Sequence, residues 1–398
     1  MKIRLGVFFG GRSVEHEVSV ISALQACRSL NKDKYEVIPV YITKDTEFYI
    51  GENVGKIEAY RNIPALLKES ERVLPVGNNG TVELLHYPMK KFGNNVAAVI
   101  DAVLPIVHGT NVEDGALQGY LQTLGVPYAG CDVLSSAVGM DKYVMKCVFA
   151  DNGIPVLPGT VINIKEFTRA QDEVAARIES RTRYPVIVKP VNLGSSVGIR
   201  KAKDRGELLD ALDYAFTFAM KVLVENAITE LKEINCAVLG DYEHAEASEC
   251  EEPLANDEIL SYQDKYVGGT KSSGGKSGMA SLKRKIPADI TPEQREEVRT
   301  MAVKAFQALG CGGVARIDFM LDKSDGRIYL NEINTIPGSL AFYLWEAAGL
   351  HYTDMLDRLV ELALKRAREN KSISFSFDTN ILENASFGGS KGAKGGKL

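Results

Sequence analysis

Two carboxylates, an arginine and an asparagine fall at alternating positions in two stretches near the C-terminus. Arg316 and Asp318 lie in Gly313-Val-Ala-Arg-Ile-Asp-Phe-Met-Leu321, and Glu332 and Asn334 in Arg327-Ile-Tyr-Leu-Asn-Glu-Ile-Asn334. Each stretch reads as a β-strand and Asp322-Lys-Ser-Asp-Gly326 as the turn between them, so the pair is a hairpin. Folding it symmetrically about Asp325 sets Arg316 opposite Asn334 and Asp318 opposite Glu332. A slip of two residues would still leave all four on one face. Like charges facing each other destabilise a sheet, so Asp318 beside Glu332 needs a counter-charge, part of which Arg316 supplies. Two carboxylates and an amide oxygen suit a hard cation such as Mg²⁺. An ion-paired, exposed hairpin face fits the same residues, and the rest of the chain has to decide.

Three further motifs stand where strands give way to glycine turns. Gly194-Ser-Ser-Val-Gly198 follows an apolar strand ending in Lys189; its backbone N–H groups could wrap an anion next to a fixed positive charge, or form a simple turn. Phe8-Phe-Gly-Gly-Arg-Ser-Val-Glu-His-Glu17 is a strand, a glycine turn and a helix start, with Ser13 as candidate cap. Its Glu15 either stabilises the helix N-terminus or holds a substrate ammonium, since such turns at the carboxyl edge of an α/β sheet bind small ligands. His108-Gly-Thr-Asn-Val-Glu-Asp-Gly115 is a third strand end passing into a polar loop, either a ligand position or a capped turn. The other histidines show no metal-ligand spacing, and no G-x-S-x-G elbow marks a hydrolase.

The elements that must position these residues alternate strand and helix over 1–132: strands at 3–9, 35–42 and 98–107, helices at 14–30 and 115–124, which is the order of a parallel sheet. Residues 50–90 are less regular. A central region, 133–225, carries a helix over 135–149 with Lys142 and Lys146, the strand before Gly194, a helix at 206–220 and a strand at 222–225. The C-terminal region, 226–375, holds a strand near 233–240, an acidic segment at 243–258, the polar glycine-rich stretch 261–281, helices at 292–309 and 353–369, and the hairpin. A loop as long as 261–281 is functional or disordered, and the tail 376–398 lacks the apolar residues to bury a core. The fold class is α/β, turning α+β in the C-terminal part. At 398 residues, 45% hydrophobic and with net charge −5, the chain reads as a soluble globular protein and argues against a nucleic-acid partner. No apolar run suggests a membrane span, and the N-terminus begins at once with a strand. Six scattered cysteines without C-x-x-C spacing fit a reducing compartment, so the expectation is a cytoplasmic enzyme.

With these residues laid out, the chain resembles the D-alanine–D-alanine ligase family of the ATP-grasp superfamily. Six motifs occur in family order from about Leu5 to Leu350: Phe9-Gly-Gly-Arg-Ser-Val-Glu-His-Glu-Val-Ser19, His108-Gly with Glu113-Asp-Gly115, Gly139-Met-Asp-Lys142, Val188-Lys-Pro190 with Gly194–Gly198, Gly313–Asp318, and Asn331-Glu-Ile-Asn-Thr-Ile-Pro-Gly338. The resemblance implies a three-domain ATP-grasp architecture. It also implies that Lys142, Lys189 and Ser196 hold nucleotide phosphates, Glu225 the adenine edge and Glu233 the ribose. Asp318, Glu332 and Asn334 would bind two Mg²⁺ ions, with Mn²⁺ as a substitute. Glu15 would bind the first D-alanine's ammonium and Arg316 with the Gly338 N–H the oxyanion. Glu15, Ser195 and Tyr266 would tie a lid shut, with His108 and Lys265 also at the substrates. The chemistry implied is an acyl phosphate formed from ATP and attacked by a second amino acid, for peptidoglycan synthesis, in a homodimer. One departure stands out: Tyr343-Leu344 occupy the place where family members have a serine that helps bind the second carboxylate. A bulkier tyrosine there implies weak D-alanine binding at the second site, or another acceptor such as D-serine or D-lactate. A nucleotide-binding regulator on the same fold is the alternative from a different class.

Overall fold

The computed structural model describes residues 1–194, 196–254 and 284–374. Strand β1 (Ile3–Gly10) runs parallel to β2 (Tyr35–Ile42) on one side and to β7 (Ala102–Ile106) on the other, as an apolar strand–helix–strand order requires. The parallel part stops there. β3 (Phe48–Ile50), β4 (Glu71–Asn78), β5 (Thr81–His86) and β6 (Val96–Ile100) add to β2 as antiparallel strands, giving the order β6-β5-β4-β3-β2-β1-β7. The expected parallel sheet is therefore mixed, and the irregular stretch 50–90 supplies much of its second half. The expected strand 98–107 is two strands separated by Asp101, whose carboxylate accepts the Arg4 backbone N–H at 2.9 Å and Nε–H at 3.0 Å. Since one residue joins the two ends of the strand order, the sheet curls back on itself.

The second sheet, order β10-β9-β11-β8, is antiparallel: β8 (Gly159–Asn163), β9 (Val186–Pro190), β10 (Arg200–Ala202) and β11 (Lys221–Asn226). Val186, Val188, Val222 and Val224 pack with Leu208 and Leu212 of the helix Arg205–Phe216.

The third sheet, order β14-β13-β12-β15-β16, carries the hairpin: β12 (Leu231–Gly240), β13 (Ala245–Pro253), β14 (Arg284–Lys285), β15 (Gly313–Asp322) and β16 (Ile328–Asn334). The acidic segment is thus mostly strand β13. Two of its charges are compensated by neighbouring elements, Glu249 by Arg295 of the helix Pro292–Ala308 and Glu251 by Arg284 of β14. The expected helix 135–149 is two helices, Val133–Met140 and Lys142–Asp151. Asp141 separates them because its side chain caps the second, accepting from the Tyr143 and Val144 N–H groups at 3.0 and 3.1 Å. Met145 and Phe149 pack with Val238, Phe306 and Ile317, so these helices share the core of the C-terminal sheet rather than that of the central one. The chain then returns to its start: Ile336, Leu340, Trp345 and, on the helix Tyr352–Asn370, Met355 and Leu359 join the core of the N-terminal sheet. All six cysteines are unpaired. Among the described residues no helix is long and apolar enough to cross a membrane.

Candidate active site

The hairpin register is the one expected, with Arg316 opposite Asn334 and Asp318 opposite Glu332. Neighbouring strands extend the row: Asn235 of β12 lies beside Asp318, and Glu251 of β13 beside Asn235. Glu251, Asn235, Asp318 and Glu332 therefore cross four strands in line. The counter-charges are present. Arg316 grips Asp318 bidentately, both contacts at 2.7 Å, Asn334 Nδ2 donates to Asp318 Oδ2 at 3.1 Å, and Lys142 Nζ lies 3.0 Å from Glu332 Oε2. A β-bulge follows Asp318, so Asn331 opposes no residue of β15. Bulges re-aim side chains, and here Asn331 Oδ1 accepts from Lys189 Nζ at 3.2 Å.

Strand β9 ends at the glycine turn and places Lys189 opposite this row, while the helix Lys142–Asp151 contributes Lys142 and Lys146. Lys142 Nζ also donates to the Leu193 carbonyl at 2.8 Å. Glu225, 2% exposed, is the shared counter-ion of Lys146 and of Lys189, the latter at 2.5 Å. Burial and the neighbouring Lys189 charge push the Lys146 ammonium down to about 8 despite Glu225. Burial raises the Glu225 carboxyl, but the two lysines outweigh it and hold it below its usual range. Both Glu225 oxygens are thus engaged by lysines, at the wall of the cavity. Ser196 takes a left-handed φ of 60° in the glycine turn, and Glu233 is exposed at the rim.

Glu15 precedes the helix His16–Ser29. Ser13 does not cap that helix; its hydroxyl accepts the Glu15 N–H at 3.1 Å instead. Glu15 is 7% exposed and stands where Gly109 and Gly194 converge. A Cβ on either glycine would come within 2.9 or 3.1 Å of its Oε2. His108 is buried behind it. Its Nδ1 lies 2.8 Å from the Ile336 carbonyl, which can only accept, so Nδ1 carries the proton and Nε2 accepts from the Ser22 hydroxyl at 3.1 Å. Burial drives this imidazole down to about 4 and keeps it neutral. Ser22 Oγ in turn accepts the Ser339 N–H at 3.0 Å, within the turn after Gly338 where Ser339, Leu340 and Ala341 all have left-handed φ values of 51°, 55° and 52°. Glu113 braces the same segment, accepting from Ile336 N–H and Gly109 N–H, each at 2.9 Å. Burial and the Glu15 charge push its carboxyl up to about 7.

These groups line one cavity of about 600 Å³ that includes Glu15, His108, Lys142, Lys189, Ser196, Glu225, Glu233, Arg316, Asp318, Glu332, Asn334 and Gly338. Tyr343 and Leu344 do not line it. Leu344 is fully buried, and Tyr343 donates its hydroxyl to Glu251 Oε1 at 3.0 Å. Ser195, Lys265 and Tyr266, with the stretch 261–281 and the tail 376–398, lie outside the described residues. Among the lining residues left without a role by the sequence are Asn235, Glu251, Arg284 and Glu113, and of these four only Glu113 stood in a recognised motif. The hairpin set has two carboxylates and one amide, and among the described residues no three or more His, Cys, Asp or Glu side chains gather into a metal cluster. As hard oxygen donors on one face, with charge to neutralise, Asp318, Glu332 and Asn334 nonetheless fit Mg²⁺ chemically.

Comparison with known proteins places this geometry in context. The family model described as "D-ala D-ala ligase N-terminus" matches residues 4–131, and "D-ala D-ala ligase C-terminus" matches 148–361. A D-alanine–D-alanine ligase of Acetivibrio thermocellus is 40% identical over 386 residues, covering 93% of this chain and 98% of the relative. Among solved structures, the D-alanine–D-alanine ligase of Coxiella burnetii aligns with a TM-score of 0.77 at 29% identity, covering 93% of this chain and 96% of its own. VanG, a D-Ala:D-Ser ligase of Enterococcus faecalis, aligns at 0.74 and 31%, covering 91% and 100%. A family model spanning more than half the chain and a near full-length relative at 40% identity lead to one conclusion: the chain belongs to the D-alanine–D-alanine ligase family.

Proposed function

We propose that the protein joins two D-alanines into D-alanyl-D-alanine at the expense of ATP, through an acyl phosphate, as a cytoplasmic step of peptidoglycan synthesis. One observation carries the reading: the Asp318–Glu332 cross-strand pair with Asn334 faces Lys142 and Lys189 across the cavity that Glu15 and Arg316 also line. A carboxylate is a poor electrophile toward an amine, so it must first acquire a leaving group. Lys142 and Lys189 supply positive charge for the polyphosphate, and the bulged Asn331 keeps Lys189 aimed there. Glu225, shared with Lys146, holds Lys189 in a fixed, partly neutralised position, while Glu332 and the Leu193 carbonyl hold Lys142. Asp318, Glu332 and Asn334 would hold one or two Mg²⁺ ions, which neutralise phosphate charge when bound.

Glu15 would pair with the ammonium of the first D-alanine and so point its carboxylate toward the phosphates. Once that carboxyl is activated, the second amine attacks it and negative charge develops on the carbonyl oxygen. Arg316, locked by its fork on Asp318, and the Gly338 N–H would receive that charge without reorganising. The neutral His108 and Ser22 fix the turn that presents Gly338. Water has to be kept out while the acyl phosphate exists. A second reading, D-alanine joined to D-serine, is favoured by the likeness to VanG, a D-Ala:D-Ser ligase. Purified protein with ATP, Mg²⁺ and D-alanine should release phosphate and yield D-alanyl-D-alanine by mass spectrometry. ATP hydrolysis without dipeptide, or dipeptide only with D-serine added, would overturn the first reading.

A further inference from the structure

The acceptor end of the cavity carries a charged cluster that no part of the reaction above uses. Arg284 Nη1 donates to Glu251 Oε2 at 3.0 Å, and Asn235 Nδ2 and Tyr343 Oη both donate to Glu251 Oε1 at 3.0 Å. The Arg284 guanidinium also lies over the Tyr343 ring, 3.9 Å from its centroid. Glu251 is 2% exposed and Arg284 12% at the side chain, yet both face the cavity with Arg316 and Gly338. Arg316 is within electrostatic reach of Tyr343 and Glu251, so the cluster adjoins the position where the oxyanion would form. Burying an arginine–glutamate pair is costly unless the geometry is well satisfied, and here one carboxylate and one ring face fix a guanidinium at a ligand cavity.

We propose that Arg284 binds the carboxylate of the acceptor amino acid, and that Glu251 and Tyr343 are its positioning residues. This rests on the reading of the site as an amino-acid ligase. The acceptor's amine must reach the activated carbonyl beside Arg316 and Gly338, and its carboxylate is one carbon away from that amine. A cation a short distance along the cavity wall is therefore in the right place, and a guanidinium presents five N–H donors in a fork that matches a carboxylate. Tyr343 acts from behind: with its hydroxyl on Glu251 and its face under Arg284, it orients the anchor rather than touching the ligand. The class of acceptor is an α-amino acid with its carboxylate intact.

D-Alaninamide tests this, because it has no carboxylate to phosphorylate and can enter only as acceptor. Wild-type protein is supplied with ATP, Mg²⁺ and equal concentrations of D-alanine and D-alaninamide. The ratio of D-alanyl-D-alanine to D-alanyl-D-alaninamide is read by mass spectrometry, then measured again for Arg284→Met and Arg284→Lys. The ratio is internal to each tube, so loss of folded enzyme does not alter it, and the unequal nucleophilicity of the two amines cancels between variants. Arg284→Met should lower the ratio by about tenfold or more, as loss of a charged hydrogen bond predicts, with Arg284→Lys between. If Arg284→Met fails to fold, Arg284→Lys, which keeps a cation beside Glu251, decides alone. Ratios within about twofold of wild type in the variants that turn over would assign Arg284 a structural role only and overturn the proposal. A wild type that makes neither product would overturn the ligase reading itself, and the anchor with it.

Discussion

Replacing Ser22 by alanine isolates the support of the oxyanion turn. Its buried hydroxyl does two things: it donates to His108 Nε2 and accepts the Ser339 N–H. Ser22→Ala leaves both partners buried without that bond, at roughly 1–3 kcal/mol each. The turn is also under tension, since Ser339, Leu340 and Ala341 share left-handed backbone, which costs about 1–2 kcal/mol per residue. Taking away the bond at Ser339 lets some of that strain relax by rotating the peptide, and the Gly338 N–H moves with it. Stability should therefore fall by roughly 2–5 kcal/mol. Loss of one oxyanion donor lowers kcat by about a hundredfold or more, so a partial displacement should cost about tenfold to a hundredfold. The Km for ATP should stay near wild type, because the Ser22 hydroxyl bonds to His108 and Ser339 and not to the lysines at the phosphate end. Chemical denaturation and rapid-quench measurement of dipeptide formation give the two numbers. A destabilised Ser22→Ala enzyme with unchanged kcat would show that the turn keeps its shape without this bond and refute the reasoning.

Asp318→Asn and Glu332→Gln each remove one of two facing charges, so both proteins should stay folded while losing Mg²⁺-dependent turnover; near-normal activity of Glu332→Gln at low Mg²⁺ would reduce the hairpin to an ion pair. Lys146→Met strips one of two cations from the buried Glu225 and should cost about 3–5 kcal/mol, with a raised Km for ATP as Lys189 is drawn further onto Glu225; an unchanged denaturation midpoint would contradict this. Glu113 supplies a pH signature. Its carboxyl is held near 7 in the folded chain against about 4.5 when unfolded, so the folded state binds the proton more tightly and stability falls as pH rises between those values. The full loss at pH 8 is roughly 3 kcal/mol, and in denaturation curves from pH 4 to 8 it should vanish in Glu113→Ala; a slope that survives the substitution belongs to another group.

What the sequence made legible was local. A hairpin with a five-residue turn has few registers, and facing carboxylates demand cations, so Arg316, Asp318, Glu332 and Asn334 could be set on one face from spacing alone. The bulge at Asn331 was invisible because nothing in the period-two pattern marks an extra residue. Asn235, Glu251 and Arg284 were missed for a different reason: their partners are chosen by sheet register, between strands far apart in the chain. Glu251 looked like one of many acids in a polar run, and only pairing with Arg284 and Tyr343 distinguishes it. The same partner turned Tyr343 away from the place its position suggested. Asp101 and Asp141 each interrupt an apolar pattern with a single residue, and only their bonds to Arg4 and to the next helix show that the interruption ends an element.

The return of residues 336–363 to the N-terminal core has a consequence for synthesis. β1, β2 and β7 are made well before Trp345, Met355 and Leu359, which pack on their side of the molecule. During translation the early sheet therefore waits through more than two hundred residues with part of its apolar surface uncovered. Contacts so distant in sequence close slowly. The first third of the chain is thus the stretch most in need of shelter on the ribosome, and a chain cut before Ile336 would keep that surface open and aggregate.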